Sequence, residues 1–231
     1  MAFFLIFSFH RLYYSMKSNQ RTEVTIPAVV KPAIDHVVIC GVGAAGSNIL
    51  QHLLYSHPVL NYTVVDFDTV EARNWQAGTQ PYSKIDLNRP KTQAIQRIAM
   101  ALKEKRINSV NTKLNSAKDI QALTKDVAKT LFIDAFDNAV SRNLFLDLPK
   151  NAHVLHVGFS AVLSGEVVWN DIFTPMATSK ADAAIDVCEM TLARPFIFGL
   201  TSLAAMVIST FLETGIKTNL YFDRHFIIRK F

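Results

Sequence analysis

The chain has 231 residues, half of them hydrophobic and 19% charged, which is long enough for one well-buried domain and short for two. Its formal charge of +5 is mild, and no aromatic interleaving or binding motif accompanies it, so we expect no nucleic-acid partner. Two cysteines, Cys40 and Cys188, are too few for a four-thiolate zinc site or a disulfide framework, so a reducing, cytoplasmic setting without structural zinc is expected.

The opening MAFFLIFSFHRLYYSM has no basic residue before its greasy run and no small-residue cleavage site. It is a poor signal peptide and too short to span a bilayer. We expect residues 1–30 to be a poorly ordered arm, or Met16 to be the true start, and residues 31–231 to form one domain. HVVIC at 36–40 is an apolar run before glycine, as for a parallel strand buried on both faces. A helix then opens near Ala44 and runs to about Ser56, and Pro58 bars its continuation. NYTVVDFD at 61–68 is the second strand, and residues 69–89, without sustained period, read as a long loop. Pro90 suits the first position of a helix running to about Arg106.

NSVNTKL at 108–114 is a third strand, residues 119–130 a polar helix, and LFIDAF at 131–136 a fourth strand. A short helix over 138–148 leads to HVLHVGF at 153–159, the fifth. GEVVWN at 165–170 and the terminal NLYFDRHFIIRKF read as strands without crossover helices, placed around the apolar stretch 195–212. That stretch is about long enough to cross a membrane, but Gly199, its hydroxyl residues and the lack of a flanking basic cluster favour a buried core helix, so no membrane partner is expected. The alternation predicts an α/β fold: a doubly wound, mostly parallel, Rossmann-like sheet with antiparallel C-terminal strands. Lys91, Arg97, Lys103, Lys105 and Arg106 share one predicted helix and its end, and a solvated face is the plain reading of that group.

In GVGAAG, Gly41 permits a tight turn, Gly43 lets backbone approach a phosphate, and Gly46 lets helix and strand pack closely. The phosphates would sit at the helix N-terminus, where free N–H groups and the dipole favour an anion. Asp66, at the expected distance, could bond a ribose hydroxyl. The loop alone does not separate ATP from NAD.

Beyond Asp66, VVDFDTVEARN, DLNRPKTQA and FIDAFDNAVSR follow in order. From about His36 to Arg142 this resembles the ThiF/MoeB-like adenylyltransferase family, which activates ubiquitin-like carriers. The resemblance implies ATP and Mg2+ as cofactors and activation of the C-terminal carboxylate of a small ubiquitin-like or sulfur-carrier protein ending in Gly-Gly, by a homodimer. It implies that Asp66 and Asp68 belong to the ATP site, that Asn74 matches the family asparagine, and that Lys91 reaches the phosphates. It implies that Asp137 holds magnesium beside Asn138, and that Arg142 has a structural role. Duller readings stand beside these. Lys91 could be a solvent lysine of a first helical turn. Asp137 with Asn138 could simply cap the next helix. Asp134 is either a second acid of the site or a solvated strand-end residue.

The pattern breaks at N-W-Q-A-G, residues 74–78. The arginine that the resemblance places on the phosphates falls on Ala77, and the glutamine falls on Gly78. Arg73 and Arg89 are near enough in sequence to replace it. A second family arginine has no clear match, with Arg11 and Arg21 as candidates. Cys188 matches a region where some relatives carry a thioester-forming nucleophile. There Arg194 would lower its pKa and Glu189 would raise it, and the alternative is an incidental thiol. Cys40, inside the first strand, is read as core. The alternative functions are a catalytically impaired ATP-binding scaffold of the same family and, with Lys91 and Asp137 left idle, an NAD-dependent oxidoreductase.

Overall fold

A computed structural model describes residues 31–175, 190–225 and 227–231. The arm expected over 1–30, with Arg11 and Arg21, lies outside the described residues, as does Cys188 with Glu189. The elements in chain order are β1 (His36–Cys40), α1 (Ala44–Ser56), β2 (Asn61–Asp66), α2 (Ala72–Gln76), α3 (Lys91–Lys103), β3 (Asn108–Asn111), α4 (Ala117–Gln121), β4 (Thr130–Asp134), α5 (Ala139–Asn143), β5 (His153–Phe159), β6 (Ser164–Trp169), α6 (Ala193–Thr214), β7 (Leu220–Asp223) and β8 (Ile228–Lys230). The strands form one sheet in the order β3-β2-β1-β4-β5-β6-β7-β8. Pairing is parallel from β3 to β5 and antiparallel from β5 to β8, as the sequence predicts.

The apolar runs of β1 and β4 are explained by burial on both faces. Val37 and Ile39 join Leu131 and Ile133 in one core cluster, while Val38 and Cys40 join Phe132 in another on the opposite face. Successive side chains of a strand point to opposite faces, so such strands have no polar side to spare. The larger cluster is closed by Ile49, Leu50 and Leu53 of α1, Ile95 of α3 and Phe196, Ile197 and Leu200 of α6. The smaller is closed by Ile120 of α4 and by Phe145 and Leu148. Helices thus cover both faces of the parallel part.

The long apolar helix α6 is long and apolar enough to cross a membrane by length and composition, with mean hydropathy 1.9. Its buried row, Phe196, Ile197, Leu200, Ala204, Val207, Ile208 and Phe211, recurs at helical spacing and packs into the core. Side by side with α1, it contributes the Ser209 hydroxyl 2.9 Å from His57 Nε2 and the Ser202 hydroxyl 3.3 Å from His52 Nε2.

Several boundaries differ from expectation. The stretch 69–89 is not an unbroken loop: it contains α2 and a 3-10 turn at Lys84–Asp86. It folds back on itself, with Val70 N–H donating to the Arg89 carbonyl at 2.8 Å and Asn88 N–H to the Val70 carbonyl at 2.9 Å. The polar helix expected over 119–130 stops at Gln121. There Asp126 accepts from Ala128 N–H at 3.0 Å, a local bond that competes with helix continuation. The helix expected over 138–148 is α5 followed by a 3-10 turn at Leu144–Asp147. Pro90 caps α3 from just outside rather than opening it, and α3 ends at Lys103 because Glu104 is left-handed at φ 51°.

The basic helix is not a simple solvated face. Arg97 pairs with Asp86 through two bonds, Nε at 2.8 Å and Nη2 at 2.7 Å, and the Asp86 side chain is fully buried. Lys91 is buried and paired with Asp68. Lys105 donates to the Pro58 carbonyl at 2.8 Å, and Lys103 lies 4.6 Å from the centre of the Tyr55 ring.

Burial pushes the Asp86 carboxyl up, but the bonds from Arg97 and Ser83 outweigh it, and the net pKa lies below the ordinary 3.8. A depressed carboxylate stabilises the fold fully above its unfolded pKa and loses that contribution as pH falls through the folded value. Arg97→Ala should therefore cost roughly 2–4 kcal/mol at neutral pH, somewhat below the range for a fully buried pair because Arg97 is itself partly exposed. The difference from wild type should shrink below about pH 3.8. Urea unfolding at pH 7 and at pH 3 checks both statements.

Candidate active site

The order of the sheet reverses at β1, which has β2 on one side and β4 on the other. Cys40 is in register with Val65 and with Asp134, so the three strands end together. Gly41, Asp66 and Ala135 therefore meet at one edge, at the switch point where open α/β sheets take ligands. Gly41 has φ +87°, and a Cβ there would stand 2.8 Å from the Ala135 carbonyl oxygen. A Cβ on Gly46 would overlap the Gly41 carbonyl oxygen. Beside Gly43 no atom lies within 4 Å of where a Cβ would be. No side chain caps the first turn of α1, so its backbone donors remain for an anion.

Asp66 has a second task that the motif does not reveal. Its Oδ2 accepts from Val42 N–H at 2.8 Å and its Oδ1 from Asp68 N–H at 2.9 Å. It clamps the end of β2 to the glycine loop. A carboxylate has about four acceptor sites, so lone pairs remain for a ribose hydroxyl. Burial pushes the Asp66 carboxyl above its ordinary value, against the charge of Lys91 and the two backbone bonds. Tyr82, whose hydroxyl donates to the Val42 carbonyl, and Asn48, whose amide donates to the Ala44 carbonyl at 2.7 Å and the Thr79 carbonyl at 2.8 Å, hold the loop from the other side. Neither residue carries a motif signal in the sequence. In the same stretch Thr79 Oγ1 and Gln80 Oε1 are buried with no hydrogen-bond partner among the described residues.

Lys91 is no solvent lysine. It is 9% exposed, and its Nζ donates to Asp68 Oδ2 at 2.8 Å. Asp68 is half-exposed, so the ammonium is held at the mouth of the crevice. Asn74 is buried, and its side-chain oxygen accepts from Glu71 N–H at 2.8 Å, which closes the first turn of α2. Asp137 and Asn138 are exposed at the end of β4. The cap of α5 is Asn138, which accepts from Ser141 N–H at 2.9 Å. Among the described residues Asp137 accepts only the Asn138 amide, at 3.3 Å. Among the described residues no group of three His, Cys, Asp or Glu gathers to hold a metal. A lone exposed carboxylate fits a magnesium ion that takes its other ligands from phosphates and water.

Asp134 is not a solvated strand-end residue. It is fully buried, accepting from Phe136 N–H at 3.1 Å, Arg142 Nε at 3.1 Å and His156 Nδ1 at 2.7 Å. Arg142 continues to Glu166 at 3.2 Å and lies against the Phe173 ring, which stacks on His156. Asn170 meets the other His156 ring nitrogen at 2.9 Å. The hint in the sequence was a histidine inside the apolar run of β5, and its meaning appears only in the register Asp134 opposite His156. Cys40 is buried, and burial, then the charges of Asp134 and Asp66, push its thiol well up, so it is an inert core residue. Arg73 is exposed and bonded to Glu71 at 2.7 Å, and Arg89 is exposed.

Arg142→Ala removes one partner of a buried carboxylate and should cost about 3–5 kcal/mol. Asp137→Ala, at an exposed position, should leave the unfolding midpoint within about 0.5 kcal/mol of wild type. Urea titrations of the two variants test this contrast.

Comparison with known proteins places this geometry. The model of the ThiF family matches residues 31–188. A search of curated proteins finds no match. Among solved structures, the chain is similar to Escherichia coli MccB with MccA-N7isoAsn, at 14% identity and TM-score 0.65, covering 87% of this chain and 65% of that one. It is similar to E. coli MccB with ATP at 14% identity and TM-score 0.63, covering 87% and 63%. It is also similar to PaaA at 16% identity and TM-score 0.61, covering 87% and 64%. The chain thus spans just under two thirds of these proteins' length, and the likeness is one of fold. With the family match running from the residues before β1 past the whole parallel sheet, over more than half of the chain, this protein belongs to the ThiF family.

Proposed function

We propose that this chain binds Mg-ATP at the glycine loop and adenylates a carboxylate of a small protein or peptide. The observation that carries the reading is Lys91: a lysine buried at the crevice mouth, compensated by a half-exposed aspartate that a phosphate could replace. Solved relatives in fold include MccB with ATP and MccB with N-formylated MccA, which supports a site for a nucleotide beside a second substrate.

In the reaction, a carboxylate oxygen attacks the α-phosphorus. The new O–P bond forms as the bond to the bridging oxygen breaks, and pyrophosphate leaves with that electron pair. Little covalent chemistry falls to the protein, so positioning and charge neutralisation dominate. Backbone N–H groups of residues 43–46 would face the phosphates, and Asp66 would orient the ribose. Lys91 would turn from Asp68 onto the phosphate oxygens. Asp137 would hold Mg2+, which when bound neutralises phosphate charge. As acceptor we propose the C-terminus of a ubiquitin-like or sulfur-carrier protein ending in Gly-Gly, used by a cytoplasmic homodimer.

A second reading, an ATP-binding scaffold without catalysis, is favoured by one observation: Ala77 ends α2 with no guanidinium. ATP–pyrophosphate exchange with a candidate carrier separates the two, since the scaffold predicts none.

Mg-ATP should raise the melting temperature, and NAD should not. Asp66→Ala should weaken ATP binding at least severalfold, the loss of about 0.5–1.5 kcal/mol per hydrogen bond. Lys91→Ala should abolish exchange yet change stability by less than about 1 kcal/mol, because its partner Asp68 can hydrate. Stabilisation by NAD with no response to Mg-ATP would overturn the reading.

A further inference from the structure

We propose that Arg194, at the start of α6, supplies the triphosphate contact for which position 77 has no guanidinium. The proposal rests on the ATP reading above and names a residue for it from a different helix.

Gly78 follows Ala77 with φ +66°, a conformation that disfavours any side chain. A Cβ at Gly78 would stand 3.8 Å from Arg194 Cδ and 3.9 Å from its Nε. The side chain of Arg194 therefore lies over the backbone of the segment that lacks the arginine. That segment is pinned to the phosphate-facing end of α1, since Asn48 bridges the Thr79 and Ala44 carbonyls.

The helix pairing gives the same placement independently. His52 meets Ser202 and His57 meets Ser209, so α1 and α6 run side by side in the same direction. A helix rises about 1.5 Å per residue. Going back from His52 to Ala44 and from Ser202 to Arg194 covers the same length, about 12 Å, on each helix. Arg194 thus comes level with the first turn of α1, whose backbone N–H groups have no side-chain cap among the described residues.

Arg194 is also free to act. It is exposed, makes no ion pair among the described residues, and its guanidinium lies 5.3 Å from the centre of the Phe198 ring. A guanidinium so placed would fork onto phosphate oxygens. The alternatives are less suited. Arg73 is engaged by Glu71, and Arg89 sits in the turn that pairs with Val70.

The test is calorimetric titration of wild type, Arg194→Ala, Arg194→Lys and the double variant Ala77→Arg/Arg194→Ala with Mg-ATP and with AMP. A contact to the phosphates beyond the first predicts that Arg194→Ala weakens Mg-ATP about ten- to a hundredfold while AMP changes by less than about twofold. Arg194→Lys should recover part of the loss, and Ala77→Arg should restore ATP affinity in the Arg194→Ala background. Unchanged ATP affinity in Arg194→Ala, or equal loss of ATP and AMP with an intact cooperative melt, overturns the role of Arg194 alone. A wild type that binds neither nucleotide overturns the ATP reading and this inference with it.

Discussion

The Asp66 carboxylate ties together two segments that the pairing of β1 with β2 has brought side by side. It accepts Val42 N–H from the glycine loop and Asp68 N–H from the segment that follows β2. Through the first bond it sets how the loop sits beside β2. Through the second it sets where Asp68, and hence Lys91, stands. The carboxylate is buried with a raised pKa, which by linkage makes its ionised form a cost to the fold: the stabilisation present at low pH is lost as pH rises through the folded value. A carboxyl whose burial opposes its ionisation is the kind expected at a binding site rather than in a core chosen for stability alone.

Three cation–carboxylate pairs tie the surrounding segments in a common manner. Lys91 with Asp68 fixes the start of α3 to the end of β2. Arg97 with Asp86 holds the long connection before α3. Arg142 with Asp134 draws α5 onto β4 and reaches across to Glu166 on β6. They differ in what surrounds them. Asp86 and Asp134 are fully buried, so their partners cannot leave without exposing an unpaired charge to a poor solvent. Asp68 is half-exposed and can exchange Lys91 for water or for another anion. Of the three pairs, the one at the crevice mouth is the one able to open.

The site also depends on α6, which comes late in the chain and belongs to no nucleotide motif. By lying along α1 it completes the larger core cluster and brings Arg194 over Gly78. A Cβ at Gly78 would meet Arg194 only at ordinary contact distance, and it is the φ of +66° that disfavours a side chain there. The left-handed backbone at position 78 and the approach of an arginine from another helix thus occur at the same place.

Much of this was legible in the residues. The apolar run HVVIC before Gly41 marked the first parallel strand because burial on both faces leaves no polar alternation. The glycine spacing and Asp66 marked the crevice because close backbone approach leaves no room for a Cβ at Gly41 and Gly46. The order of the D-F-D-T-V-E, R-P-K and D-A-F-D-N segments pointed to the family that the comparison then found. Short elements were less legible, because Thr124 and Asp126 settle their own backbone bonds locally and a five-residue α2 has no periodicity to read. What only the tertiary structure decided was pairing. Lys91 facing Asp68, Asn138 rather than Asp137 as the cap, Asp134 buried between Arg142 and His156, and Arg194 beside Gly78 all depend on strand register and helix packing. Those contacts join residues from 3 to 116 positions apart, and the longer ones leave no periodic trace because the energy that selects them exists only once the sheet has closed around them.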